Sequence, residues 1–413
     1  MIRSVAKQYR RAFSGLPIQV WYLAIVVLVN RAGSMVLPFL ALYVTEGLSL
    51  GESAAGWMLA IYGVGSCAGA FVGGMVADRL GPFRIQVFSL ILSGFGYFAM
   101  TLATGFWSLA IIVVLTSFSA DAFRPANGAS VTLLAPPELH KRAFSLNRLA
   151  INLGYTVGPT VGGILATISY EFLFWIDGLT SWFAAATFLI FLGLKSPTVT
   201  VSNSEETESC INTVEEIAPW KNTPFLVFLF LTFITFCVFF QLISTFPIFL
   251  KAEYQLSKVE IGSLFGVNTL GVVAFEMVLI QMLERKNLIR LIAWGSLFMC
   301  LGFGLLPYGV GYWFAMATVS VWTLGEMLAM PQMLAYVAQA STSRNRSAYM
   351  GYYTTCVALS MMVGPLIGTH LYEWNHTLCW HFASVVGVLA CVGFYMLDRS
   401  IAVSAEETAL ASG

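Results

Sequence analysis

Asp121 and Arg124 stand three residues apart in S-A-D-A-F-R-P-A-N-G (119–128), inside a run that is otherwise apolar or small. On a helix that spacing puts a carboxylate and a guanidinium on one face, where they can pair locally. An arginine keeps its proton in practice, whereas an apolar setting disfavours the charged form of a carboxylate and lets it change protonation. The pair therefore offers a fixed positive charge and a place for a proton. Asn30, Arg31, Glu276 and Glu326 also interrupt apolar runs. Charge at such places is costly and normally faces a bundle interior or a watery cavity. Arg31, Arg124 and Asn30 are read as substrate or cavity residues. Glu326 and Asp121 are read as the first proton carriers, with Glu276 third. The plainer reading keeps Asp121–Arg124 as a fixed pair that orients helices, and Glu276 on a helix-packing face.

The elements that must position these side chains follow from composition. Of 413 residues, 58% are hydrophobic and 10% charged, against about 25% charged in a soluble domain. Apolar stretches of the length needed to cross about 30 Å of hydrocarbon recur along the chain. They fall at about 21–44, 55–77, 84–104, 107–133, 144–168, 171–194, 223–246, 260–283, 288–308, 312–338, 347–371 and 377–397, which makes twelve. The expected fold is all-α and polytopic, with two six-helix bundles. The expected division is a tail at 1–20, a bundle at 21–194, a polar linker at 195–222, a bundle at 223–397 and a tail at 398–413. The N-terminal stretch lacks a small-residue cleavage site and reads as a tail rather than a signal peptide.

Seventeen of the 21 Lys and Arg residues fall on one side of this topology, two on the other, and Arg31 and Arg124 inside it. Short basic loops are retained in the cytoplasm, so both termini and the linker are expected there.

Shifting the chain by 206 residues superposes landmarks without a change of register. Gly65 meets Gly271, Pro125 meets Pro331, and Gly158-Pro159-x-x-Gly162 meets Gly364-Pro365-x-x-Gly368. Two such halves imply a pseudo-twofold along the membrane normal and a substrate site exposed to either side by rocking. The same shift pairs Glu326 with Ala120, so Asp121 and Glu326 are expected to flank one cavity. Glycine at every fourth position (Gly65, Gly69, Gly73; Gly154, Gly158, Gly162) permits close helix contact. These seams, with Pro159 and Pro365, are read either as static packing or as sliding, gating contacts between the halves.

Across all twelve segments the chain resembles the major facilitator superfamily. Gly74-Met75-Val76-Ala77-Asp78-Arg79-Leu80-Gly81-Pro82-Phe83-Arg84 is similar to that superfamily's loop motif between helices two and three, with Pro82 and Phe83 where basic residues are common. Arg124-Pro125 with Gly128 resembles its helix-four arginine motif. Gly154 through Gly163 resembles the helix-five motif of the drug/proton antiporter branch. The resemblance implies alternating access, with Gly74, Asp78, Arg79, Gly81 and Arg84 in a cytoplasmic-side lock, and export driven by inward proton flow. Asn30-Arg31 stands where that branch often has an acid, which counts against a cation-selective pocket.

The leading expectation is proton-coupled efflux of a small organic or drug-like molecule. The alternative is a proton-coupled transporter of a zwitterionic or anionic metabolite, peptide or siderophore, motivated by Arg31 and Arg124. A non-transporting receptor with the same fold would leave the buried acids without a use. Catalysis is not expected. No phosphate-binding G-x-x-x-x-G-K-[ST] loop occurs, so an ATP-driven pump is unsupported. Seven cysteines and four histidines form no metal-ligand pattern. No cofactor is expected beyond a proton gradient as driving force. The expected partners are a small-molecule substrate, protons and the lipid bilayer, with no nucleic acid. A monomer in a bacterial inner membrane is the expected setting. Trp57, Tyr62, Tyr155, Trp322 and Tyr336 can line a cavity, although core packing is the commoner fate of aromatics.

Overall fold

A computed structural model describes residues 15–194, 218–283, 286–342 and 345–412. Every element among them is helical. Eleven helices are long and apolar enough to cross a membrane, and a further one, Leu288–Gly304, is apolar but shorter. In chain order the spans are α1 (Ile18–Gly47), α2 (Glu52–Leu80), α3 (Pro82–Met100), α4 (Phe106–Leu134), α5 (His140–Ile168) and α6 (Glu171–Phe191). They continue as α7 (Thr223–Ile243), α8 (Lys258–Leu283), α9 (Leu288–Gly304), α10 (Gly311–Ala340), α11 (Arg346–Trp374) and α12 (Leu378–Ser412). The 17 residues of α9 rise about 25 Å. Large apolar side chains such as Leu102, Trp107, Ile190 and Trp313 stand more than 70% exposed, as lipid-facing surfaces do.

Helix pairing repeats between the halves. α1 packs on α5 as α7 packs on α11, α3 on α6 as α9 on α12, and α3 on α4 as α9 on α10. One apolar core gathers Val20, Leu23, Phe83, Phe123 and Phe188 of the first half; another gathers Phe225, Phe228, Met299, Met333 and Phe394 of the second. Trp322 and Tyr336 belong to the second half's packing, against Phe303 and Phe228 respectively.

The compact units do not divide where the repeat divides. One takes the chain up to Leu37 and from Val64 to the central linker. The other takes Pro38–Gly63 together with the chain from the linker onward. Within this second unit, Gly56 of α2 lies against Thr369 of α11, and Gly63 lies against Met362. Lys258 pairs with Glu46 at 3.0 Å, and Ser53 donates a hydrogen bond to Glu373.

Most of the polar linker, 195–217, lies outside the described residues. The stretch expected as a tail, from residue 398, continues α12 as helix to Ser412. Asp398 accepts hydrogen bonds from Asn287 (2.8 Å) and from Arg290 Nε (2.8 Å), which fasten α12 to the start of α9.

Both α1 and α7 are interrupted. α1 is helical over Ile18–Ala32, opens at residues 33–35, and resumes over Val36–Leu42. Pro38 falls in the first turn of the resumed helix, where a missing amide costs nothing. α7 tightens into a 3₁₀ turn at Phe240–Ile243 and passes through Ser244 into a short helix, Thr245–Ala252.

Candidate functional site

The first unit collects a polar group around the break in α1. Arg31, in the last turn before the break, donates from Nη1 to the Tyr155 hydroxyl at 3.1 Å. Its guanidinium carbon stands 5.6 Å from the centre of the Tyr155 ring, within cation–π range. Asn30 is half-buried one position earlier. Gly154 of α5 lies against the backbone of Arg31 and Ala32, where a Cβ would come 2.9 Å from the Ala32 nitrogen. Gly158 lies against the carbonyls of Arg31, Ala32 and Ser34. Glycine at these positions lets α5 approach the stretch that carries Arg31.

Asp121 and Arg124 sit on either side of a bend in α4, whose helical segments are Phe106–Asp121 and Phe123–Leu134. Their nearest charged atoms are 3.8 Å apart. The Asp121 side chain is 10% exposed and that of Arg124 is 62% exposed. Arginine is thus the accessible member of the pair and aspartate the enclosed one. Ala122, between them, is the contact point for Gly73 of α2.

The glycine seams permit close approach of neighbouring helices within a unit. Gly65, Gly69 and Gly73 fit against Val114, Phe118 and Ala122 of α4, and Gly154 and Gly158 fit against α1. In the second unit Gly364 and Gly368 of α11 fit against Cys237 and Gln241 of α7. Pro159, Gly162 and Pro365 lie inside continuous helices, α5 and α11.

The loop motif is explained by backbone geometry. Gly81 has φ +88° and breaks the chain between α2 and α3, with Pro82 at the first position of α3. A side chain there would be strained. Gly74 lies in ordinary contact with Pro125. Asp78, Arg79 and Arg84 are exposed.

In the second unit, Asn268 of α8 donates to Glu326 Oε2 of α10 at 2.8 Å and lies 3.1 Å from the Thr323 hydroxyl. The carboxylate of Glu326 is half-buried, and that of Glu276 is buried at 6% exposure. Asn268 and Thr323 were not signalled by charge; their spacing to the acid across two helices is visible only in three dimensions.

Sequence reasoning also passed over Asp177, in E-F-L-F-W-I-D-G-L-T-S-W of α6. It is 2% exposed. Its carboxylate accepts from the Met35 amide (3.0 and 3.2 Å) and the Val36 amide (2.9 Å), the first free donors of the resumed α1 helix. An acid in an apolar run was the available signal, as it was for Asp121.

Twelve apolar helices, paired alike in the two halves of the sequence, carry polar side chains within them, as a polytopic membrane protein with a polar pathway requires. The chain belongs to the Major Facilitator Superfamily, whose sequence model matches residues 23–341 and 228–410. It is 22% identical over 406 residues to a Na(+), Li(+), K(+)/H(+) antiporter of Planococcus maritimus, covering 90% of this chain and 94% of the relative. It is 24% identical over 345 residues to the quinolone resistance protein NorA of Staphylococcus aureus, covering 82% of this chain and 86% of that one. Among solved structures it resembles a peptide transporter POT in complex with sulfate (TM-score 0.79, 17% identity, 95% and 96% covered). It also resembles the nucleoside transporter NupG (TM-score 0.76, 13% identity, 92% and 99% covered).

Proposed function

We propose that the chain is a proton-coupled antiporter that exports a small organic molecule by alternating access. The observation that carries this reading is a carboxylate held by a polar partner inside a spanning helix of each unit. Glu326 is held by Asn268 in one, and Asp121 is paired with Arg124 in the other. Carboxylates in apolar spans are natural proton carriers. The relatives named as a cation/proton antiporter and a quinolone resistance protein support efflux. In this reading Asp121, Glu326 and Glu276 carry protons, and Arg31, Arg124 and Asn30 meet the substrate. The turn at Gly74–Arg84 serves as the conformational lock at the cytoplasmic face. The protein acts as a monomer in a bacterial inner membrane, with both termini cytoplasmic.

Glu46 and Ser53 are engaged with α8 and α11, while Asp78, Arg79 and Arg84 are exposed.

A second reading, proton-coupled transport of a zwitterion or peptide, is favoured by Arg31. Its guanidinium is oriented by Tyr155 where an acid would serve a cationic drug. The likeness to peptide transporters in the fold is compatible with it.

The test is transport by purified protein in liposomes, with substrates first found by thermal-shift screening. Glu326→Gln is expected to abolish accumulation driven by an imposed proton gradient while sparing substrate exchange. Equal loss of binding, exchange and driven transport would instead assign Glu326 to structure or substrate contact. A rate indifferent to the gradient at several pH values would remove coupling.

A further inference from the structure

The two interrupted spans are fastened by different chemistry. At the break in α7, the side chain of Gln241 does the fastening. Its Nε2 donates to the Cys237 carbonyl (2.9 Å) and across to the Gly364 carbonyl of α11 (2.7 Å). Its Oε1 accepts from Ser244 (2.9 Å) and Thr245 (2.7 Å). At the break in α1, the fastener is Asp177 of α6, both oxygens of which accept backbone amides. The break in α7 is thus tied by a neutral side chain that cannot titrate, and the break in α1 by a carboxylate that can.

That carboxylate is enclosed. It is 2% exposed, and among the described residues no basic side chain pairs with it. Its charge is offset by the amides of Met35 and Val36 and by the helix N-terminus they open, an arrangement that favours an anion. The titratable and charged groups around it are few. Tyr97 of α3 is within electrostatic reach of Asp177 and also of Arg31 (α1), Asp121 (α4) and Tyr155 (α5). Tyr97 thus lies between Asp177 and the polar group of Arg31, Tyr155 and Asp121 in electrostatic terms. The clamped amides immediately precede the place, between Leu37 and Pro38, where the chain passes from one compact unit into the other.

We propose that Asp177 is a proton-responsive clamp on the break in α1: ionised, it holds the Met35 and Val36 amides firmly, and protonated, it loosens its hold on them. The chemistry is direct. A carboxylate accepts on both oxygens with the help of its charge, whereas a carboxylic acid loses that charge and keeps only its carbonyl oxygen as a good acceptor. Proton uptake at Asp177 then frees the first turn of the resumed helix to change its direction. Asp177 is a positioning residue here, acting through α1 rather than on the substrate. The clamp rests on the proton-coupled reading above for its place in transport, and its own test requires no transport.

Hydrogen exchange measured by mass spectrometry on the purified full chain in detergent reads the clamp. Peptides covering residues 33–42 are followed from acid to alkaline pH, with rates corrected for intrinsic exchange. Protection of the Met35 and Val36 amides is expected to fall about tenfold on acidification, as befits loss of charge-assisted hydrogen bonds. Peptides covering 240–250, held by Gln241, are expected to stay flat. In Asp177→Asn the 33–42 response is expected to disappear. Flat protection at 33–42 in the wild type would overturn the clamp. So would a parallel fall at 240–250, or a wild-type profile in Asp177→Asn. If that variant does not fold, the wild-type comparison of the two breaks decides alone. A responsive 33–42 segment with gradient-indifferent flux would overturn proton coupling and keep the clamp. Gradient-driven flux with a flat segment would do the reverse.

Discussion

Gly73→Ala tests whether the α2–α4 contact holds the bend that separates Asp121 from Arg124. A Cβ at residue 73 would lie 2.6 Å from Ala122 Cα and 2.7 Å from Ala122 Cβ. Ordinary contact begins at 3.4 Å, so the methyl falls about 0.8 Å short of the room it needs. The obstructing atoms include the α-carbon, and no side-chain rotation can move that. The helices must separate, or α4 must shift at its bend. Overpacking of this kind costs about 1–3 kcal/mol, partly offset by the roughly 1 kcal/mol that alanine gains over glycine in a helix. Gly128→Ala, on the same helix as the bend, is the control because nothing lies within 4 Å of its Cβ position. Thermal unfolding of the purified protein in detergent is expected to show a lower midpoint for Gly73→Ala. The Gly128→Ala midpoint is expected to be unchanged or raised. Substrate affinity should also fall in Gly73→Ala, since the bend positions the charged pair. A Gly73→Ala protein that melts and binds like the wild type would refute the packing argument.

Arg124→Lys keeps the charge and loses the planar fork. If Arg124 grips an anion with two hydrogen bonds, affinity is expected to drop at least about tenfold, read by titration of an identified substrate; unchanged affinity would remove Arg124 from the binding surface. Asn268→Leu takes the 2.8 Å donor from Glu326 and is expected to destabilise the second unit by about 1–3 kcal/mol. Adding Glu326→Gln should cost less than the sum of the two single changes in thermal unfolding, because the pair is coupled. Gly81→Ala forces a methyl onto φ +88° and is expected to cost about 1–2 kcal/mol, again as a lowered melting midpoint. Reversing both charges of the Glu46–Lys258 pair (Glu46→Lys with Lys258→Glu) is expected to restore the transport that either single reversal impairs. A doubly reversed protein no better than the singles would deny the pair a role.

Much of the architecture was legible because lipid makes strong demands. Long apolar runs gave the spans, and the 206-residue shift anticipated the recurrence of helix pairings such as α1 on α5 and α7 on α11. What the one-dimensional pattern could not supply was the direction of each small-residue face. Gly65, Gly69 and Gly73 are spaced for a close contact in any partner, and only the fold shows that the partner is α4. The break in α1 was likewise hidden, since Gly33, Ser34 and Pro38 are all tolerated in spanning helices. It becomes visible through Asp177, 142 residues from the Met35 amide that it holds. The Asn268 contact to Glu326 is a long-range pairing of the same kind, across 58 residues. Where the division of the chain and of the compact units disagree, at Pro38–Gly63, the cause is specific contact: Glu46, Ser53, Gly56 and Gly63 each meet residues of the second half.

The most direct test of proton-coupled antiport is proton movement itself. Protein reconstituted into liposomes that contain a pH-sensitive dye receives an identified substrate on one side only, with no gradient imposed. The account predicts proton flux opposite to substrate flux, abolished in Glu326→Gln. Protons moving with the substrate would establish symport and favour the zwitterion reading, and substrate flux with no proton movement would contradict coupling altogether.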